Sequence, residues 1–524
     1  MATRTARLPA LPPKPELAVF ASGMTSMGLE ILAGRMIAPQ YGSSIFTWGS
    51  IIGVFLAALS LGYYRGGRLA AKRASTRRLV RLLLGTALYV AVLIFAGEVL
   101  LRAAGAFPLP SRFASLPAVV LLFGPPTYLL GFVSPYAAEL SETESTGAAS
   151  GRVYAVGTVG SIVGAFGTTF ILIPELSIDQ IGLVLGLIAV GAAVLVARPG
   201  ITTDQALGSA AVALLLVAAV GSGAAGVSIE GRIVYETQTP YQELQVIDLG
   251  GTRTLYLDGQ RHSAMDLDNP SRHVFTYTRY FHLPLLMTDD VDRVLFIGGG
   301  GFTGPKRFVE DYDVTVDVVE IDPEVISVAK EYFAVEESDR LRIHNMDGRQ
   351  FLQQTDETYD LIILDAYKMD KVPFQLTTEE FMRLAESRLS DDGVLFANII
   401  SAPQGAASQF YRAEYKTMAQ VFPQVYSFPT VDATVIQNIE VVATKNATVL
   451  TQEELLARNT NRDIGIDLSS ELRTYRNSEN VENVPVLRDD RAPVDDLLDP
   501  LIGQRYVVQE ADNRTTVAPA ALAG

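Results

Sequence analysis

The sequence predicts a multi-pass α-helical membrane domain followed by an α/β domain with a doubly wound sheet, the latter preceded by a small antiparallel β region. Three observations predict it. Seven long apolar runs crowd the first 225 residues, alternating β-branched segments follow at 229–259, and from 292 onward short buried strands alternate with helical segments. The last pattern is that of parallel strands joined by crossover helices.

The apolar runs lie near 17–39, 46–64, 79–101, 116–138, 153–174, 179–197 and 206–225. Each is close to the ~20 helical residues that cross a ~30 Å hydrocarbon core. Residues 17–225 are therefore read as the transmembrane domain, and the Pro-rich, basic residues 1–16, which lack a cleavage motif, as a cytoplasmic N-terminal segment. Arg65, Arg68, Lys72, Arg73, Arg77, Arg78 and Arg81 separate the second and third runs and predict a cytoplasmic loop. Arg4, Arg7 and Lys14 place the N-terminus on the same side. Seven crossings would then put the soluble half on the opposite face. A broken or re-entrant fourth run, at Gly124-Pro125-Pro126, would return it to the cytoplasmic one. Both topologies stay open. Glu30 and Arg35 inside the first run read as an internal pair, and Gly160 and Gly164 as a close-packing face. The expected location is the cell membrane, multi-pass, with the lipid bilayer as partner; a homo-oligomer is compatible with the sequence.

A net charge of −16 excludes a phosphate-neutralising surface, so no nucleic-acid partner is expected. The absence of cysteine removes disulfides, Cys-based zinc sites and iron–sulfur clusters. His262, His273, His282 and His344 lack ligand spacing, so no metal site is expected.

The soluble half begins with a β-strand region, 229–285, containing strands at Arg232–Gln238, Tyr241–Leu249 and Thr252–Asp258, with Gly250-Gly251 as the last turn. A Rossmann-like domain at 286–445 and a C-terminal extension at 446–524 follow. Val294–Ile297 reads as a buried strand running into Gly298-Gly299-Gly300-Gly301, where glycine permits a sharp turn and close approach of a ligand. The next strand, Val314–Glu320, ends in a carboxylate about 20 residues beyond the glycines, the placement that lets an acid accept from ribose hydroxyls. Asp347-Gly348 closes a third strand; Asp347 is placed to meet the base, to cap a helix at 349–354, or both. Tyr359–Asp365 is a fourth strand ending in an acid at the ligand-binding edge, which makes Asp365 the leading catalytic candidate. An amphipathic helix at 379–389 and a strand at Gly393–Ile400 complete the pattern.

Together these residues resemble the spermidine synthase (polyamine aminopropyltransferase) family, and within it the subgroup with an N-terminal membrane region. By motif the similarity covers about 230–445, and the tail segment Val486–Val494 also looks like that subgroup. Tyr241-Gln242, Leu255–Gly259 and His282–Leu285 resemble the family's strand region and its entry into the nucleotide fold; Glu320-Ile321-Asp322, Asp347-Gly348 and Asp365 resemble its ribose, base and catalytic positions. The resemblance implies an AdoMet-methyltransferase-type fold. It implies a donor, decarboxylated S-adenosylmethionine, held by Gln242, Gly298, Gly299, Gly300, Gly301, Glu320, Asp347 and Gly348. It further implies a diamine acceptor such as putrescine near Tyr241, Tyr367 and Asp370, with Asp365 as acid/base and no metal.

Three positions depart from the family pattern. Gly301 stands where the family has an Asp for the donor's ammonium, Lys368 where it has a second catalytic-loop Asp, and Thr276-Tyr277-Thr278 where it has Tyr-His-Glu. A free Lys368 at ~4 Å would repel a cationic acceptor by ~4 kcal/mol at an effective dielectric of about 20. Two alternatives follow from these departures. One is a methyltransferase using intact S-adenosylmethionine, with Lys368 on the methionyl carboxylate or on an anionic acceptor. The other is a non-catalytic, nucleoside-gated carrier or sensor with Glu30 and Arg35 lining a path.

Overall fold

The computed structural model describes residues 14–41, 45–105, 109, 111–141, 146–223, 231–369, 371–501, 504 and 506–511. Arg4, Arg7 and the candidate Asp370 lie outside the described residues. The chain forms two compact units, 1–227 and 228–524.

Among the described residues of the first unit, seven helices are long and apolar enough to cross a membrane: Lys14–Ala38, Ile45–Arg73, Thr76–Gly97, Leu116–Glu139, Gly147–Glu175, Ile178–Ala197 and Thr203–Val220. The basic loop expected after the second run is mostly helix. Arg65 to Arg73 continue the second helix and Arg77 to Arg81 begin the third, leaving Ala74-Ser75 as the connector. Arg and Lys are good helix formers, so charge here did not mark a break. The fourth helix also runs on through Pro125 and Pro126 to Gly131. Pro125 lacks the N–H that would reach the carbonyl of Leu121; that oxygen instead accepts from the Tyr89 hydroxyl at 2.6 Å, the neighbouring-helix rescue expected for a proline inside an apolar helix.

The glycine face packs as the spacing predicts. A Cβ on Gly160 would lie 2.2 Å from the Phe20 carbonyl oxygen, and one on Gly164 2.3 Å from that of Met24. The helices Lys14–Tyr41 and Thr146–Gly167 therefore touch backbone to backbone, and Arg152 bonds Glu16 at 2.5 Å along the same seam.

The second unit opens with an antiparallel meander, β1 (Arg232–Gln238), β2 (Glu243–Leu249), β3 (Thr252–Leu257) and β4 (Gln260–Asp266). Both later turns carry positive φ at two successive residues, Gly250-Gly251 and Asp258-Gly259. This is the torsion pair of a type I′ hairpin. A 3₁₀ segment, Thr276–Leu286, leads into the main sheet.

That sheet contains β5 (Arg293–Ile297), β6 (Thr315–Glu320), β7 (Leu341–Asn345), β8 (Tyr359–Leu364), β9 (Leu389–Ser401), β10 (Gln424–Pro429) and β11 (Gln437–Thr444), in the order β10-β11-β9-β8-β5-β6-β7. β11 runs antiparallel to both its neighbours; β7, β6, β5, β8 and β9 are parallel. Alternate residues of the parallel strands feed two cores. Val294, Phe296, Val318 and Ile363 pack on one face, Leu295, Ile297, Val319 and Ile362 on the other. A strand with both faces covered has no polar side, which is why these segments read as continuous apolar runs. The chain reverses its direction of travel between β5 and β8, and ligands of open α/β sheets bind at such a switch point.

Candidate active site

At the end of β5 the backbone turns through Gly298 (φ 100°) and Gly300 (φ 50°). A Cβ on Gly298 would lie 2.3 Å from the Asp365 carbonyl oxygen, so the turn hugs the end of β8 only because residue 298 has no side chain. The four glycines divide by role. Gly298 and Gly300 line the cleft above the sheet edge. The Gly299 N–H donates to Glu320 Oε2 at 2.8 Å and that of Gly301 to Ser263 Oγ at 2.9 Å. Gly301 is buried, and a Cβ there would lie 2.7 Å from that of Ser263. The departure at 301 thus has a local cause: Ser263 and Phe333 fill the space a side chain would need.

Glu320, at the end of β6, is aimed at this turn. Its Oε1 accepts from the Asp322 N–H at 3.0 Å, the carboxylate borders the cleft, and burial pushes its pKa upward. Asp322 caps the next helix and holds Thr239 Oγ1 at 2.6 Å and Gln242 Nε2 at 3.2 Å. Gln242 borders the cleft but spends this amide bond on Asp322. Tyr241 sits at the rim, 40% exposed. Asp347 caps the helix Gly348–Gln354 through Gln350 N–H at 3.0 Å and receives Gln375 Nε2 at 3.3 Å. Gly348 lies flush against Ile297.

Asp365 follows β8 directly, its N–H donating to the Ile297 carbonyl at 2.9 Å. Asn398 Nδ2 donates to its Oδ1 at 2.8 Å, and Asn398 is itself oriented by Asn438 Nδ2, also at 2.8 Å. Burial pushes the Asp365 pKa up to about 7, with the Glu320 charge adding and the Asn398 bond opposing. Tyr367 borders the cleft, and its hydroxyl is taken by the Leu376 carbonyl and Glu414. Lys368 Nζ is held at 2.7 Å by Asp258 Oδ2. Burial alone would raise Asp258, but the Lys368 charge and hydrogen bond hold it below the usual carboxylate value. The pair is neutral overall, so the repulsion expected from a free Lys368 is largely cancelled. Tyr277, Asn398, Ile400, Asn438 and Tyr506 complete the end of the cleft beyond Asp365. No group of three or more potential metal ligands occurs among the described residues.

Sequence reasoning missed Asn398, Asn438, Gln375 and the Asp258–Lys368 pair. The first three sit on elements distant in sequence and carry no local signal. Asp258-Gly259, by contrast, is an Asp-Gly hairpin signal, and would have located both β4 and the anchor for Lys368.

A glycine turn at a sheet switch point, with acids ending the neighbouring parallel strands, places the second unit in the Rossmann-like fold class of the AdoMet methyltransferase type. Residues 274–451 match the spermine/spermidine synthase domain. The chain is 32% identical over 208 residues to the polyamine aminopropyltransferase of Vibrio vulnificus, covering 38% of this chain and 68% of that one. It is 31% identical over 223 residues to that of Chromobacterium violaceum, covering 41% and 81% respectively. A crystal structure of spermidine synthase from Thermotoga maritima aligns over 41% of this chain and 74% of its own, with 21% identity and a TM-score of 0.35. The chain belongs to the spermine/spermidine synthase family and is a transferase of the polyamine aminopropyltransferase type.

Proposed function

We propose that this protein is a membrane-bound aminopropyltransferase that moves the aminopropyl group of decarboxylated S-adenosylmethionine to a short primary amine of putrescine's class. The donor's adenosine lies over Gly298 and Gly300, with its ribose hydroxyls on Glu320 and its base beside Asp347. The attacking amine, with an ordinary pKa near ~10.4, must arrive without its proton to offer a lone pair. Asp365 accepts that proton. The nitrogen then forms a bond to the propyl carbon attached to sulfur; the carbon–sulfur bond breaks and its electron pair neutralises the sulfonium, releasing methylthioadenosine. The leaving group is already activated, so alignment supplies most of the acceleration. Residues 14–223 supply the anchorage in the bilayer.

The observation that carries this reading is Asp365: an acid beside the glycine turn, oriented by Asn398 and Asn438 and pushed up to about 7. A base is most useful when its pKa lies near the working pH. The alternative with intact cofactor needs a cation for the methionyl carboxylate, and among the described residues the three Lys and Arg side chains that border the cleft are each engaged, Lys368 by Asp258, Lys371 by the Tyr241 carbonyl and Arg261 by Glu510.

The test is calorimetry and turnover with the purified full-length protein in nanodiscs. Decarboxylated S-adenosylmethionine should bind at least tenfold tighter than the intact form. With putrescine or a related amine it should yield methylthioadenosine and the aminopropylated amine in equal amounts. Preference for the intact form, with no methylthioadenosine released, overturns the proposal.

A further inference from the structure

Glu414 is wholly buried on the helix Gln409–Met418. Its carboxyl Oε1 lies 3.1 Å from the Tyr367 hydroxyl, and its Oε2 has no hydrogen-bond partner. The same hydroxyl lies 2.9 Å from the Leu376 carbonyl oxygen. Tyr367 and Leu376 lie near the two ends of the segment that follows Asp365, and Lys368, Lys371, Pro373 and Gln375 between them border the cleft. The two contacts together close the base of that segment.

Counting protons decides the state of this junction. A carbonyl only accepts, and a tyrosine has one proton to give. If Glu414 were ionised, a single proton would serve two acceptors, and a buried carboxylate would stand without a countercharge, a costly arrangement. With one further proton on Glu414, its O–H donates to Tyr367 and Tyr367 donates to Leu376. Both contacts are then satisfied and no charge is buried. Burial pushes Glu414 far above the usual carboxylate range, in the same direction.

We infer that Glu414 is a positioning residue that acts as a neutral carboxylic acid, donating to Tyr367 so that Tyr367 clasps Leu376 and fixes the substrate-facing segment next to Asp365. This rests on the aminopropyl-transfer reading for its consequence in turnover, but its first readout is binding, which needs no turnover.

The amide of Glu414→Gln can still donate to Tyr367, so methylthioadenosine affinity and the pH–rate profile should stay within about threefold of the parent. Tyr367→Phe loses the clasp outright, and Glu414→Leu leaves the buried Tyr367 oxygen without the donor that orients it. An unmade buried hydrogen bond costs about a tenfold factor in an equilibrium. Both variants should therefore weaken methylthioadenosine by about tenfold, raise the KM for the amine more than they lower kcat, and speed amide hydrogen exchange at 366–376. Infrared difference spectra between parent and Glu414→Gln should show loss of a protonated-carboxyl band. If Glu414→Gln is as impaired as Glu414→Leu, or the band belongs to a carboxylate, the neutral-acid role is wrong. If Tyr367→Phe, the milder change should Glu414→Leu not fold, leaves affinity and exchange unaltered, there is no clasp. Failure of every amine to turn over in the parent would count against the transfer reading alone.

Discussion

Replacing Asp365 with Asn is expected to slow aminopropyl transfer about 10³-fold, the middle of the usual range for a lost general base. Methylthioadenosine should still bind within about threefold, because the glycine turn and Glu320 are untouched. The amide can still accept from Asn398, so the local geometry survives while the proton acceptor does not. In the parent, kcat/KM for the amine should rise with pH through about 7 as Asp365 ionises, and the Asn variant should lack that limb. Stability should move the opposite way. A carboxyl whose folded pKa is raised binds more protons folded than unfolded, so its contribution is present below its unfolded value and declines as pH climbs towards about 7. The Asn variant should therefore melt higher than the parent at pH 8 and close to it at pH 4. Undiminished turnover in the Asn variant would remove Asp365 as the base. Equal melting shifts at both pH values would contradict its raised pKa.

The second large effect is expected from Glu320→Gln. The carboxylate accepts backbone N–H groups from Gly299 and Asp322 at once, which leaves its remaining lone pairs for the ribose. A carboxamide presents one oxygen and one N–H₂, so one of those two backbone donors would face another donor. Bonds to an ionised acceptor contribute about 1.5–3 kcal/mol each. Losing or disordering the ribose contacts should weaken methylthioadenosine by about 100-fold in calorimetry. Activity at saturating donor should fall much less, which separates this variant from Asp365→Asn. Unaltered affinity would mean that the sugar is not held there.

The parallel-sheet class, the chain positions of its strands and the acids that follow them were legible where one stretch of chain carries the whole signal. Buried parallel strands are short, largely apolar runs, and the acids at 320 and 365 each end such a run, whereas Asp347 follows the mostly polar β7 and was marked by its Asp-Gly turn. Seven apolar segments of membrane-crossing length needed only counting. What stayed hidden depends on partners remote in sequence. β4 is polar and irregular in pattern, and its strand character comes from pairing with β3. β10 pairs with β11 and β11 with β9, in a stretch of chain that carries none of the candidate site acids. Asn398 and Asn438 act because two strands set side by side place one amide against the next. The extent of the basic helices was misread for another reason: charge density informs about membrane sidedness and says little about where a helix stops.

The glycine seam of the first unit carries a mechanical corollary. Phe20 and Met24 oxygens seat in notches left by Gly160 and Gly164, and both pairs of residues are spaced one helical turn apart. Sliding one helix along the other by a fraction of the ~5.4 Å pitch would drive those oxygens into the ridges between notches. The two rods behave as meshed cogs, free to advance only by whole teeth, so any motion of this bundle must pass around that pair rather than through it.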